Sequence, residues 1–267
     1  MKPVAFDHDC PVTLEEAARL IARPGARPIA GGQSLGPMLN FRVARPDHLV
    51  ALAALAGLTG VEDTAQVITL GAATCHAAIE DGRVPDLPGG VLSRIAGGIA
   101  YRAVRNRGTI GGSLCHADPG ADWLITLTAL DASVLTWTPS GGRMIPLAGF
   151  VTGAFRTVLA AGEIVQAVHI PRPGPGFGWG YVKACRKPGE FAHAMAALLV
   201  DPARGVRRLV IGATGGAPVL LQGVRADPAC VGDALAGSGL GRVERRMQAV
   251  VAARALAQAT NGRVMPA

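Results

Sequence analysis

The chain is poor in charge, aromatics, lysine and paired cysteine, and each shortage removes a class of function. Charged residues make up 17% and hydrophobic residues 49% of its 267 residues, the reverse of a disordered chain. This length supports one large domain or two modest ones with a real core. No apolar run reaches the ~18 residues needed to cross a bilayer. The longest, Leu49 to Val61, is interrupted by Gly57 and Thr59, so no membrane span is expected. The opening Met1-Lys2-Pro3-Val4-Ala5-Phe6-Asp7 has no apolar signal core, and a cytoplasmic location is the expectation. The five cysteines, at 10, 75, 115, 185 and 230, form no CxxC pair. A self-contained iron–sulfur cluster or zinc ribbon is therefore excluded, and the odd, scattered set fits a reducing compartment. A net charge of +7 invites a nucleic-acid reading, but only three cations are lysines (2, 183 and 187) and aromatics make up 4%. The densest groups, Arg204/Arg207/Arg208 and Arg242/Arg245/Arg246, lack aromatic neighbours to stack on bases. They read as solvated faces or a surface for an acidic partner. Neither GxGxxG nor GxxxxGK[ST] occurs.

Glycine is in excess, with 36 residues, about twice the usual ~7% share. Thr13-Leu14-Glu15-Glu16 is a capping box opening an amphipathic helix that ends at Pro24-Gly25. A strand over 27–30 runs into Gly31-Gly32, and 47–52, 60–62 and 66–70 read as further strands. Helical starts are predicted at 74–80 and 87–95. A third helix, with Asp118 as N-cap and Pro119 in the first turn, is expected to reach about Leu130. Residues 133–138 and 143–146 flank a Pro-Ser-Gly-Gly turn as a hairpin. A loop rich in Gly and Pro at 171–180 divides the chain into 1–170 and 171–267. Beyond it, three strand-like stretches (180–186, 193–200 and 205–213) precede a final helix at 243–259. This order gives an α+β fold.

Two glycine clusters carry the chemistry. In Ile29-Ala30-Gly31-Gly32-Gln33-Ser34-Leu35-Gly36, consecutive glycines let backbone N–H groups converge on an anion without a Cβ in the way; an ordinary strand-end turn is the plain alternative. Gly32-Gln33-Ser34-Leu35-Gly36 also spells a nucleophile elbow, but the 31 residues before it are too few for the sheet that elbow needs. The second cluster is Arg105-Asn106-Arg107-Gly108-Thr109-Ile110-Gly111-Gly112-Ser113. Two such loops can grip both ends of a long dinucleotide. Cys115-His116-Ala117-Asp118 resembles a metal set only on paper: Asp118 is taken by the helix cap, and neighbours in an extended stretch point apart. Asp7-His8-Asp9-Cys10 reads as an exposed entry to the first helix. Asp122 suits either the helix dipole or a ribose or ribityl hydroxyl. Lys183, with Arg186 and Lys187 between Tyr181 and Phe191, suits an anionic cofactor's wall or an edge strand.

In this order these segments resemble the FAD-binding medium subunit of the molybdenum hydroxylases, the carbon monoxide dehydrogenase and xanthine dehydrogenase group. The likeness spans nearly the whole chain. It is sharpest at Ala30-Gly31-Gly32-Gln33-Ser34-Leu35 and at 105–114, and continues through His116-Ala117-Asp118-Pro119 to Lys183 and Gly189-Glu190-Phe191-Ala192. It implies a two-subdomain FAD-binding domain of the vanillyl-alcohol oxidase (PCMH) type. A C-terminal domain with a three-stranded antiparallel sheet and helices would follow. By the same resemblance, residues 30–34, flanked by Ile29 and Leu35, bind the FAD diphosphate, and Thr109, Ile110, Gly111, Gly112 and Ser113 form the second loop. His116, Asp118 and Asp122 fall at cofactor positions, with Lys183 nearby. Ile99 falls against the adenine, and Val165 offers a backbone contact beside the ring. Glu190 replaces the Asp of the family's RxGDFA-type segment, and Tyr101 stands where a small residue or His is usual.

The implied assembly has a large subunit with a molybdopterin cofactor and a small subunit with [2Fe–2S] clusters, arranged as a dimer of heterotrimers. This chain would receive electrons on FAD and pass them to an external acceptor. No catalytic side chain is then required of it, since binding, orientation and redox tuning suffice. A free-standing flavin reductase or oxidase on the same scaffold, and a non-enzymatic nucleotide-binding module, are the alternatives.

Overall fold

Thr13 organises the first turn of the chain. Its hydroxyl accepts from Glu16 N at 3.1 Å, and the Glu16 carboxylate accepts from Val12 N at 3.1 Å, so helix α1 (Leu14–Ile21) begins where the capping box places it. In this computed structural model, which describes residues 2–261, α1 lies beside a three-stranded parallel sheet. Its strands are β1 (Asp7–Asp9), β2 (Ala26–Ile29) and β3 (His48–Ala51), in the order β1-β3-β2. Helix α2 (Leu35–Asn40) makes the crossover from β2 to β3. The Asp7–Cys10 segment is exposed at Asp7, His8 and Cys10, as expected of a lead-in, but Asp7–Asp9 also form a strand, with His48 Nδ1 3.8 Å from the carboxylates of both Asp7 and Asp9.

The second sheet contains β4 (Val61–Asp63), β5 (Val67–Gly71), β6 (Ser133–Trp137) and β7 (Met144–Pro146). After a short ribbon, β8 (Val151–Gly153) and β9 (Arg156–Thr157), it takes β10 (Ile164–Pro171) into its middle. The antiparallel order is β4-β5-β10-β6-β7. Between β5 and β6 come α3 (His76–Glu80), α4 (Val91–Gly97), α5 (Arg102–Arg105), α6 (Ile110–His116) and α7 (Asp122–Ala129). Helix α4 starts later than its sequence suggests. The Asp86 carboxylate accepts from Leu92 N at 2.7 Å and Ser93 N at 2.9 Å, holding the helix entrance from outside. Asp118 is not the N-cap of α7: its carboxylate accepts from Gly120 N at 2.9 Å in a turn, and Ala121 precedes the helix. All eight residues of α7 are buried, as befits a helix apolar on nearly every side.

The remaining chain forms β11 (Gly178–Ala184), β12 (Ala194–Asp201), β13 (Val206–Gly212) and β14 (Val219–Gln222), followed by α8 (Val231–Ala234) and α9 (Arg242–Thr260). The sheet is antiparallel in sequence order and has four strands, not the expected three. The extra strand, Val-Leu-Leu-Gln, pairs with Arg208–Ile211 and is too short to reveal a period in sequence. Residues alternate across this sheet. Trp179, Tyr181, Met195, Ala197, Leu199 and Val210 join the core around α7. Ala196, Leu198, Leu209 and Ile211 meet Val251, Ala252 and Ala255 of α9. Gly180 permits that contact, because a Cβ there would sit 1.8 Å from the Ala255 carbonyl oxygen.

Candidate functional site: two glycine loops and a buried acid–lysine pair

The first loop leaves β2 at Ala30 and enters α2 at Leu35. Gly32 has φ +71°, the left-handed region that glycine occupies without strain. Gly31 cannot carry a side chain: a Cβ would lie 1.9 Å from the Arg107 carbonyl oxygen and 2.9 Å from Gly108 Cα. The Gly31 carbonyl accepts from Gln33 Nε2 at 3.2 Å and from Arg107 Nε at 3.4 Å, and Gly36 N donates to Gly32 O at 2.8 Å. The backbone N–H groups of Gly31, Gly32, Gln33, Ser34 and Leu35 donate to no other group among the described residues. The loop therefore offers consecutive donors beside a glycine-only approach, a cradle suited to a diphosphate.

The second cluster lies directly against the first. An added Cβ at Gly112 would be 3.6 Å from Ala30 Cβ. Its form differs from the loop expected. Thr109 caps α6, its hydroxyl accepting from Gly112 N at 3.0 Å, so Cys115 and His116 are helical rather than extended. Ile110 N and Gly111 N donate to Thr74 O and Ala72 O at 3.0 and 2.9 Å. These amides are spent inside the protein. Gly111 is required by packing, since a Cβ would stand 2.5 Å from Ala72 Cβ. What this segment sets beside the first loop is Gly112, next to Ala30, and the Arg107–Gly108 backbone, next to Gly31.

Ile99 sits in a connection held at three successive carbonyls. Lys183 Nζ donates to Gly98 O at 3.0 Å, and Arg105 Nη1 donates to Ile99 O at 3.0 Å and Ala100 O at 3.1 Å. Arg105 is itself gripped by both oxygens of Glu80 at 2.8 and 2.9 Å, which holds the Glu80 carboxyl below its ordinary range. Ala100 N donates to Gly189 O at 3.1 Å. The loop bearing Ile99 thus joins the Gly189-Glu190-Phe191 segment, where Glu190 lies 3.6 Å from Arg186. Tyr101 is exposed.

Asp122 opens α7 and is buried. Lys183 Nζ donates to its Oδ1 at 2.8 Å, and the Tyr181 hydroxyl donates to the same oxygen. Burial raises the Tyr181 phenol well above its ordinary pKa, and the Asp122 carboxylate adds to the effect. His116 lies against Phe155 with ring centroids 5.1 Å apart; burial lowers its pKa, opposed by Asp118. Val165 lies one residue before Gln166, whose carbonyl accepts from Ala72 N at 2.9 Å, and Ala72 O in turn accepts from Gly111 N at 2.9 Å. It lies in β10, paired with Thr136 beside a bulge, with its side chain in the core. Among the described residues, no group of three or more His, Cys, Asp or Glu could hold a metal ion. No helix among them is long and apolar enough to cross a membrane.

His76 was not legible as a site residue, and Tyr181 was legible only as a flank of the Lys183 segment, not as a partner of Asp122. His76 N donates to Gly108 O at 2.9 Å, and its Nδ1 accepts from buried Trp123 Nε1 at 3.2 Å. Burial, with a smaller contribution from the Arg105 charge, lowers its pKa to about 4. A neutral imidazole thus ties the second loop to α7.

Comparisons with known proteins find one family over most of the chain. Residues 4–173 match the model of the FAD binding domain in molybdopterin dehydrogenase. The chain is 40% identical over 204 residues to the 6-hydroxypseudooxynicotine dehydrogenase complex subunit alpha of Paenarthrobacter nicotinovorans, covering 75% of this chain and 68% of that one. It is 34% identical over 257 residues to the carbon monoxide dehydrogenase medium chain of Afipia carboxidovorans, covering 94% and 88%. In structure it is similar to the reconstituted CO dehydrogenase of Oligotropha carboxidovorans, with TM-score 0.86, 29% identity and 98% and 99% coverage. It is also similar to quinoline 2-oxidoreductase of Pseudomonas putida 86, with TM-score 0.85, 31% identity and 99% and 100% coverage. The chain belongs to the FAD-binding medium subunits of the molybdenum hydroxylase family and is an oxidoreductase subunit.

Proposed function

We propose that this chain carries FAD between two electron-transfer partners, taking electrons from [2Fe–2S] clusters on a small subunit and delivering them to an external acceptor. The observation that carries this reading is the row of unpartnered N–H groups at Gly31–Leu35, set where Gly31 excludes any side chain. Those amides would hold the diphosphate, with Ala30 and Ile29 beneath and the Ser34 hydroxyl as a further donor. Thr109, Gly111, Gly112 and Ser113 would form the opposing wall, with Ile110 buried behind it. Ile99, on its three-point support, would press against the adenine. His116, Asp118, Asp122 and Lys183 would line the rest, and Val165 would contribute backbone only. FAD supplies the redox chemistry when bound, accepting electrons singly and releasing two. The chain itself binds, orients and shields.

The partners in this reading are a molybdopterin-bearing large subunit and the iron–sulfur small subunit, as a dimer of heterotrimers in the cytoplasm. The scattered cysteines support this division, because no CxxC pair exists here to hold a cluster. Residues 1–170 act as the FAD-binding domain of PCMH type and 171–267 as the C-terminal domain, the Pro- and Gly-rich stretch between them marking the boundary. The purified full chain, reconstituted with FAD, is expected to show flavin absorption bands and to co-purify with molybdenum and iron–sulfur subunits. A colourless protein under excess FAD would refute the flavin reading; a yellow protein that purifies alone would favour a free-standing reductase.

A further inference from the structure

Strand β11 alternates its side chains between two environments. Gly180, Val182 and Ala184 face α9, while Trp179, Tyr181 and Lys183 face α7. Tyr181 and Lys183 therefore arrive at the start of α7 as neighbours on one face, and both donate to Asp122 Oδ1. The side chains of Lys183 and Asp122 are only 9% and 7% exposed, and Tyr181 is buried too. A single lysine is enough to compensate the carboxylate charge. The second donor on the same oxygen does something else: with Lys183 it fixes the carboxylate rotamer. Oδ2 accepts from no group among the described residues.

We infer that Tyr181 is a positioning residue, holding Asp122 so that Oδ2 accepts a hydrogen bond from a sugar hydroxyl of the bound flavin dinucleotide. This rests on the FAD reading above. Two sources carry that hydroxyl, the ribityl chain on the flavin half and the ribose on the adenosine half. The phenol suits the task because its burial keeps it protonated, hence a donor, throughout the working pH range. Lys183 adds reach: it also donates to Gly98 O at 3.0 Å, so the carboxylate and the Ile99 loop share one support.

The test uses the full chain, stripped of flavin, titrated separately with FAD, FMN and ADP. Tyr181→Phe keeps the ring and removes only the donor. It is expected to weaken FAD binding roughly tenfold while the melting temperature of the flavin-free protein stays close to that of the wild type. Weakening of FMN assigns the hydroxyl to the ribityl chain, and weakening of ADP assigns it to the ribose. Tyr181→Phe is expected to add nothing in an Asp122→Asn background, because the tyrosine acts through that carboxylate. Should Tyr181→Phe not fold, Lys183→Met, which leaves Tyr181 as the only donor, is expected to produce the same weakening. Unchanged FAD affinity in a folded variant, or an equal loss with and without the Asp122 carboxylate, overturns the assignment. A wild-type chain that binds none of the three probes overturns the FAD reading itself.

Discussion

The neutral His76 makes the stability of this protein depend on pH in a defined window. Its imidazole is buried, accepts from Trp123 Nε1 at 3.2 Å and lies near Arg105. The folded pKa is about 4 against an ordinary 6.5. Between these values the unfolded chain binds the proton and the folded chain does not, so stability falls as pH falls. The contribution is complete above pH 6.5 and is lost toward pH 4. At ~1.4 kcal/mol per pH unit this amounts to about 3 kcal/mol over the whole window, or roughly 5–10 °C in Tm for a chain of this size. Replacing His76 with Gln keeps an acceptor for Trp123 and removes the titration. Thermal melts between pH 7.5 and 5 are expected to show a steep decline for the wild type and a shallower one for the variant. Some slope remains because burial also lowers the His116 pKa. Glu163, lowered from 4.5 to about 2 chiefly by Arg143, loses its contribution as pH falls from the first value toward the second and stays out of the range of these melts. Parallel declines in both proteins would refute a buried neutral His76.

Gly31→Ala drives a Cβ into the Arg107 carbonyl; a loss of about 1–3 kcal/mol and of FAD retention is expected in melts and flavin titrations. Gly36→Ala, with nothing within 4 Å of its added Cβ, is expected to be near neutral by the same assays. Arg105→Met frees the Ile99 and Ala100 carbonyls and leaves Glu80 with Arg102 alone, costing about 2 kcal/mol in denaturant titrations. It is also expected to raise the His76 pKa, measurable by NMR titration, because the Arg105 charge helps depress it.

Local chemistry made part of this structure legible. The Thr13 capping box, the 133–146 hairpin and the long final helix are written in contiguous residues, and they fold as read. The glycines of 105–113 misled because glycine-rich sequence reads as loop. Thr109 instead caps a helix whose Gly111 is demanded by Ala72, distant in sequence. Asp118 looked like an N-cap because its neighbour is proline, yet its carboxylate is satisfied two residues on. The N–H groups of α6 show the same limit, since their acceptors at Ala72 and Thr74 come from another segment. The pairings of Tyr181 and His76 were hidden for a related reason. Their partners, Asp122 and Trp123, lie 59 and 47 residues away, and no local pattern announces a pairing at that distance.

The account turns on where the dinucleotide diphosphate rests, and a crystal structure of the FAD-loaded chain measures that directly. The expected result is phosphate oxygens within hydrogen-bond distance of the N–H groups of Gly31–Leu35, with the Thr109–Ser113 segment facing them across one cleft. A diphosphate bound elsewhere, leaving those amides to water, would contradict it.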